Sequence, residues 1–404
     1  MFRVTQYMQE LENPTPLKPK REPKAPVVIW NLIRRCNLTC KHCYSGSTNI
    51  DFPGELSTDE VTRTMDDLAA FGVPVLILSG GEPLMRQDIF EISARAKRMG
   101  FYVGLSTNGT LIDDATAARI AEVDYNYVGI SLDGIGETHD RFRGEPGSFD
   151  KALAGVRRCV AQGTKVGLRM TITGETAHEL PDILQLLDAE GVDKLYVSHL
   201  NYGGRGNLNR GTDAHFQMTR RAMDAIFEAA RKSVRAEAKP KEFVTGNNDA
   251  DGAYLLLWAA ERYPRERVDH LRAKLEQWGG NASGRNVANI DNLGNVHPDT
   301  FWWHYTLGNV RRRDFSDIWP DTSDPLMAGL KQRPRPVTGR CAQCRFLALC
   351  NGNTRVRAEQ ITGDPWAEDP GCYLDDAEIG VADGSRTVPM APYLGKRKYL
   401  AVDG

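Results

Sequence analysis

Cys36, Cys40 and Cys43 put three thiols within eight residues at the spacing Cys-x3-Cys-x2-Cys. Three thiolates on one loop can ligate three irons of a cubane and leave the fourth iron open to a substrate or cofactor. Two other readings compete: a zinc site that recruits His42, or cysteines stacked one turn apart on a helix face. Cys341, Cys344, Cys350 and Cys372 supply four more thiols. These could close a second 4Fe–4S cluster with no open iron, or hold a zinc ion as a four-cysteine knuckle. The Cys-x2-Cys-x5-Cys run is too compact for a disulfide framework. Cys159 stands apart in a helical pattern and reads as a small packing residue.

Something must bring these groups together, and the chain offers a regular scaffold. From Val27 onward short β-rich runs alternate with helical segments, the pattern of a parallel sheet wrapped by helices. Strands are predicted at Val27–Ile33, Val73–Ser79, Phe101–Ser106, Tyr127–Ser131, Lys165–Ile172 and Lys194–Leu200. Ser57 and Glu60 form a capping box ahead of an apolar helical stripe that Gly72 ends. Six such units are too few to close an eight-stranded barrel, so the fold class is α/β, a partial (βα)6 TIM-type barrel with a smaller C-terminal unit. The expected layout is an irregular N-terminal arm at 1–25, the barrel at 26–235, a helical linker region at 236–285, an auxiliary domain at 286–374 and a tail at 375–404. Within the linker, Asp251–Ala260 and Arg267–Trp278 read as helices, whereas Glu242–Asp249 has no clear period.

Loops leaving the C-terminal ends of parallel strands gather at one face. Cys36 to Cys43 follow the first strand, Gly80-Gly81-Glu82-Pro83 the second, Ser106-Thr107-Asn108-Gly109 the third and Ser131-Leu132-Asp133-Gly134 the fourth. The glycines permit close backbone approach, and the small polar sets suit hydroxyls and a carboxylate. On the fifth strand Arg169 alternates with apolar residues and points into the barrel, where it requires an anion.

The 404 residues carry a formal net charge of −2. No run of like charges exceeds Arg311–Arg313, so neither nucleic acid nor a membrane surface is an expected partner. Met1–Glu10 lacks the basic start and apolar core of a signal peptide, and no stretch is long enough to span a bilayer, which predicts a cytoplasmic location.

The first cysteine spacing, at the end of the first strand and followed by Tyr44, resembles the radical S-adenosylmethionine (SAM) superfamily. That resemblance implies that SAM chelates the open iron through its amino and carboxylate groups and is cleaved reductively to a 5′-deoxyadenosyl radical. It implies that Gly80, Gly81 and Glu82 meet the SAM amino group, that Ser106, Asn108 and Ser131 serve the ribose and carboxylate, and that Arg169 grips the carboxylate. A salt bridge from Arg169 to Asp133 or Glu82 is the alternative. The segment from Gly284 to Cys372 resembles the SPASM/twitch auxiliary domains of that superfamily. Asp299 and Thr300 stand where a cysteine would follow Pro298, so one auxiliary cluster is expected, giving two 4Fe–4S clusters in all.

Longer strings narrow the likeness. Val28–Cys36, Asp51–Leu56, Ser198–Tyr202, Phe243–Asp251, Glu276–Asn281 and Gly363–Asp369 are similar to the enzymes of heme d1 biosynthesis. This implies a tetrapyrrole substrate, 12,18-didecarboxysiroheme, that loses two propionate side chains, and an electron donor such as a flavodoxin or ferredoxin. The chain is expected to be a monomer. Arg205, Asn247, Asn248, Arg355 and Arg357 are candidates to hold substrate carboxylates, and His297 to face the cavity. Trp302, Trp303 and His304 read as core. The alternative is a peptide-modifying maturase with an auxiliary cluster.

Overall fold

The computed structural model describes residues 1–19, 23–236 and 238–388. Lys20 and Arg21 of the arm, and the part of the tail from 389 onward, lie outside the described residues. The expected strands appear as β1 Val27–Asn31, β2 Val75–Ser79, β3 Tyr102–Thr107, β4 Tyr127–Ser131, β5 Val166–Ile172 and β6 Lys194–His199, each paired in parallel with the next. Burial on both faces explains their apolar composition.

The sheet is wider than the sequence pattern suggests. β7, Glu242–Gly246, pairs in parallel with β6, in the stretch read as having no period. Phe243, Val244, Thr245 and Gly246 are all buried, and a strand covered on both faces shows no alternation. At the other edge β8, Val287–Ile290, pairs in parallel with β1, and β9, Asn295–His297, and β10, Gly308–Asn309, continue antiparallel. The order is β10-β9-β8-β1-β2-β3-β4-β5-β6-β7, an open ladder. The segment expected to begin a separate unit near 286 therefore extends the barrel sheet beside β1.

The N-terminal segment is not the irregular arm expected from its prolines. Val4–Glu12 is a helix whose Val4, Tyr7, Met8 and Leu11 are buried, the one-face spacing of an amphipathic helix. It packs on the Phe216–Ala236 and Arg265–Trp278 helices. The Ser57–Glu60 capping box and the left-handed Gly72 form as predicted. One apolar core runs from the barrel into the C-terminal segment through Phe346, Leu349, Tyr373 and Leu374.

Candidate active site

The loop after β1 is held from three sides. The Cys36 amide donates to Thr48 O at 3.0 Å, and the amides of Thr39 and Lys41 donate to the carbonyls of Arg143 and Phe142 at 3.2 and 3.0 Å. Arg205 donates through Nε to Cys40 O and through Nη1 to Ser47 O, both at 2.8 Å. The three cysteines pack together around Leu38, with Cys36 and Cys40 buried and Cys43 half-buried.

Each sulfur has a donor beside it. Leu38 N lies 3.4 Å and Asn108 Nδ2 3.9 Å from Cys36 Sγ, Arg143 Nη1 3.6 Å from Cys40 Sγ, and Ser45 Oγ 3.3 Å from Cys43 Sγ. Burial pushes the Cys36 thiol up to about 12, helped by the nearby Glu82. Burial also raises Cys40, against the opposing Arg143. At Cys43 the Arg205 guanidinium and hydrogen bonds from Ser45 and Ser47 outweigh burial and bring the thiol below its ordinary value. Among the described residues Arg205 Nη2 is buried without a hydrogen-bond partner. Three sulfurs with donors aimed at them and a spare buried guanidinium N–H fit a sulfide-rich anionic group. His42, the alternative zinc ligand, instead stacks on Phe142 at 4.8 Å, and burial lowers its pKa to about 4.

The two glycines after β2 are required by loop-to-loop contact. A Cβ on Gly80 would lie 2.5 Å from Ile33 O, and one on Gly81 2.3 Å from Arg35 O. The Gly81 and Glu82 amides donate to Ile33 O and Arg35 O at 2.6 and 2.9 Å, so those N–H groups are spent inside the protein. Gly80 O accepts from Asn31 Nδ2 at 3.3 Å. Glu82 is fully buried and accepts from Leu84 N at 3.1 Å, Thr107 Oγ1 at 2.7 Å and Asn108 N at 2.8 Å. It ties the second loop to the third. Asn108 in turn donates to Asn37 Oδ1 at 2.9 Å.

Arg169 is half-buried on the inner face, 5.2 Å from the Tyr196 ring, and donates to Ser106 Oγ. Ser131 stands beside it in the β4–β5 register. Neither suggested carboxylate takes it: Glu82 is bound as above, and Asp133 pairs with Arg143. Ser106, Ser131 and Arg169 thus share one corner of the barrel mouth, while Glu82 and Asn108 brace the cysteine loop.

The candidates for substrate carboxylates fare differently. Arg357 is buried in a bidentate pair with Asp369, at 3.0 and 2.9 Å. Arg355 donates to the carbonyls of Pro365, Ala367 and Gly352. Asn248 is bound to Gly371 O and Asn353 at 2.8 and 2.6 Å. His297 is fully buried between Tyr305 O and Asp291, at 2.8 and 3.3 Å. These are internal fastenings, and Arg205 belongs to the cysteine loop. Asn247 remains at the mouth in a left-handed conformation, φ 68°, donating to Ser198 Oγ at 2.5 Å. Trp302 is core as expected. Trp303 instead lies half-buried against Tyr44, ring centroids 6.1 Å apart, and His304 is an exposed residue paired with Glu359 at 3.2 Å.

Cys341, Cys344, Cys350 and Cys372 line one small cavity, walled by Ala250, Ala253 and Phe346. Burial drives Cys344 up to about 12 and raises Cys341 and Cys350. Among the described residues no three Cys, His, Asp or Glu side chains close on a single-ion position. Cys159 is buried in the core, as its packing reading requires. Asp299 and Thr300 are buried, Asp299 bonded to Ser283 and to Phe301 N.

The radical SAM superfamily profile matches residues 30–187. Over 397 residues, 98% of this chain and 98% of the relative, 53% of positions are identical to the pre-heme d1 synthase of Dinoroseobacter shibae. The chain belongs to the radical SAM superfamily. It is 47% identical to the Fe-coproporphyrin III synthase of Methanosarcina barkeri, over 88% of this chain and 90% of that one. The crystal structure of Streptococcus suis SuiB bound to S-adenosylmethionine superposes with a TM-score of 0.68 at 18% identity, covering 87% of this chain and 78% of that one; it shares the fold. As a radical SAM enzyme the chain uses SAM and a 4Fe–4S cluster. Among the described residues no helix is long and apolar enough to cross a membrane.

Arg143 was not singled out in the sequence. It ends the Glu137–Arg143 helix, 103 residues on from Cys40, and no spacing announces its approach to that thiol.

Proposed function

We propose that this protein is a cytoplasmic, monomeric enzyme of heme d1 biosynthesis that removes two propionate side chains from 12,18-didecarboxysiroheme. The observation that carries the proposal is 53% identity over essentially the full length of both this chain and a pre-heme d1 synthase. The next relative described, at 47%, is also named for a tetrapyrrole, which favours that substrate class over a peptide.

In this reading Cys36, Cys40 and Cys43 hold the SAM-binding cluster. When bound, SAM and the cluster supply a 5′-deoxyadenosyl radical able to take a hydrogen atom from a propionate carbon. The protein's part is placement. Carbonyl oxygens of the Gly80–Gly81 loop accept from the SAM ammonium. The Arg169 guanidinium, held over Tyr196 by Ser106, meets the carboxylate, because a charged fork with a spare edge is worth most against an anion in a buried site. Ser131, beside Arg169, would serve the ribose. Glu82 and Asn108 fix the loop that carries the sulfurs, as outer-shell groups do.

Cys341, Cys344, Cys350 and Cys372 would hold one auxiliary 4Fe–4S cluster. The four thiols line one cavity, and among the described residues none of them closes with two other ligands on a single-ion position, which supports a cube over a lone zinc. The buried hydrogen bonds of Asp299 support one auxiliary cluster rather than two. A flavodoxin or ferredoxin is the proposed electron source.

Mass spectrometry after anaerobic turnover with SAM and 12,18-didecarboxysiroheme tests the assignment. A product shortened at two propionates is expected. An unchanged tetrapyrrole, with turnover on a peptide instead, would move the chain to the maturases.

A further inference from the structure

We infer that Arg143 is a positioning residue that sets the reduction potential of the SAM-binding cluster by donating a charged hydrogen bond to Cys40 Sγ. The inference rests on the reading that Cys36, Cys40 and Cys43 hold that cluster. Arg143 Nη1 lies 3.6 Å from Cys40 Sγ, and Nη2 pairs with Asp133. The arginine is 7% exposed and the aspartate 0%. A buried guanidinium with one edge on a carboxylate and the other on a sulfur is an oriented donor rather than a diffuse surface charge.

The surroundings are built to keep it there. Asp133 is itself fixed by the Thr171 amide at 2.5 Å and offers its own amide to His139 Nδ1 at 3.1 Å. The Phe142 and Arg143 carbonyls take the Lys41 and Thr39 amides, so the backbone that carries the guanidinium also carries the cysteine loop. A Cβ on Gly144 would lie 2.4 Å from Thr39 Oγ1, which shows how closely the two segments are pressed together.

Adding an electron makes a thiolate-ligated cluster more negative, so a cationic N–H at a ligand sulfur stabilises the reduced form more than the oxidised form. Removing it therefore lowers the midpoint potential. Asp133, two residues after Ser131 at the end of β4 and bonded to the Thr171 amide on the strand of Arg169, holds the donor in register with the rest of the mouth.

The test is an EPR-monitored redox titration of anaerobically reconstituted protein carrying Cys341→Ala, Cys344→Ala and Cys350→Ala to remove the auxiliary signal. Arg143→Gln is expected to keep the iron content and shift the midpoint negative, with Arg143→Lys in between. An unchanged midpoint at full iron content overturns the inference while leaving the cluster assignment standing. A parent protein that binds no iron overturns the cluster assignment instead. Should Arg143→Gln fail to load iron, protein labelled with 15N-arginine decides: a 15N hyperfine coupling to the reduced cluster that Arg143→Lys diminishes is expected, Arg205 supplying any remainder. A coupling that is absent, or that the substitution leaves undiminished, overturns it.

Discussion

Arg357 separates two accounts of the C-terminal segment, one in which it binds substrate and one in which it locks the segment to the barrel. Its Nε and Nη2 grip Asp369 at 3.0 and 2.9 Å, and Nη1 donates to Asn247 O at 2.7 Å and Leu200 O at 3.3 Å. Both partners of the ion pair are essentially inaccessible. Truncation by Arg357→Met leaves a buried carboxylate without its cation, which costs about 3–5 kcal/mol. Asp369 keeps the Thr354 and Gly371 amides, at 3.1 and 2.8 Å, so the loss belongs near the lower end, about 3 kcal/mol. Urea denaturation of the apo chain, followed by circular dichroism and tryptophan fluorescence, measures it. The double variant Arg357→Met, Asp369→Leu is expected to recover most of the loss, since removing both charges leaves none unpaired. A single variant as stable as the parent, but with a raised KM for the tetrapyrrole, would refute the locking role and return Arg357 to the substrate site.

Arg169→Gln removes the guanidinium from the barrel mouth and is expected to weaken SAM binding about 10- to 150-fold, the worth of a charged hydrogen bond of roughly 1.5–3 kcal/mol; isothermal titration of the reconstituted protein checks it. The triple variant Cys341→Ala, Cys344→Ala, Cys350→Ala is expected to halve the iron from about eight to about four per chain, and retention of eight, or zinc in the parent, would remove the auxiliary cluster. Gly81→Ala puts a methyl against Arg35 O and is expected to reduce cluster loading, read by iron and sulfide analysis. Burial raises the Glu82 pKa despite hydrogen bonds from Asn108 and Thr107. Its stabilising contribution is therefore full below the unfolded value of about 4.3 and is lost as pH rises through the folded value. Glu82→Gln should flatten that decline in a pH series of urea midpoints.

The cysteine loop and the loops after β2, β3 and β4 were legible because parallel topology converts positions just after strands into neighbours. Arg169 was legible from the alternation of one strand. Its partner was not, because sequence says which way a side chain points but not which anion reaches it: Asp133 went to Arg143, and Glu82 to amides and a hydroxyl. β7 escaped because a doubly covered strand has no period. The Val4–Glu12 helix was hidden behind the prolines that follow it, although Val4, Tyr7, Met8 and Leu11 carried the signal. Arg355, Arg357 and His297 looked like cavity residues by type, whereas their hydrogen bonds close inward, a distinction that depends on contacts remote in sequence.

The central claim is that three cysteines hold a cube with one iron open to SAM. Its most direct test is the EPR spectrum of the reduced Cys341→Ala, Cys344→Ala, Cys350→Ala protein before and after SAM is added. A spectrum whose g-values move on addition of SAM, and that is lost altogether in Cys36→Ala, is the predicted result. A spectrum indifferent to SAM at full iron content would contradict it.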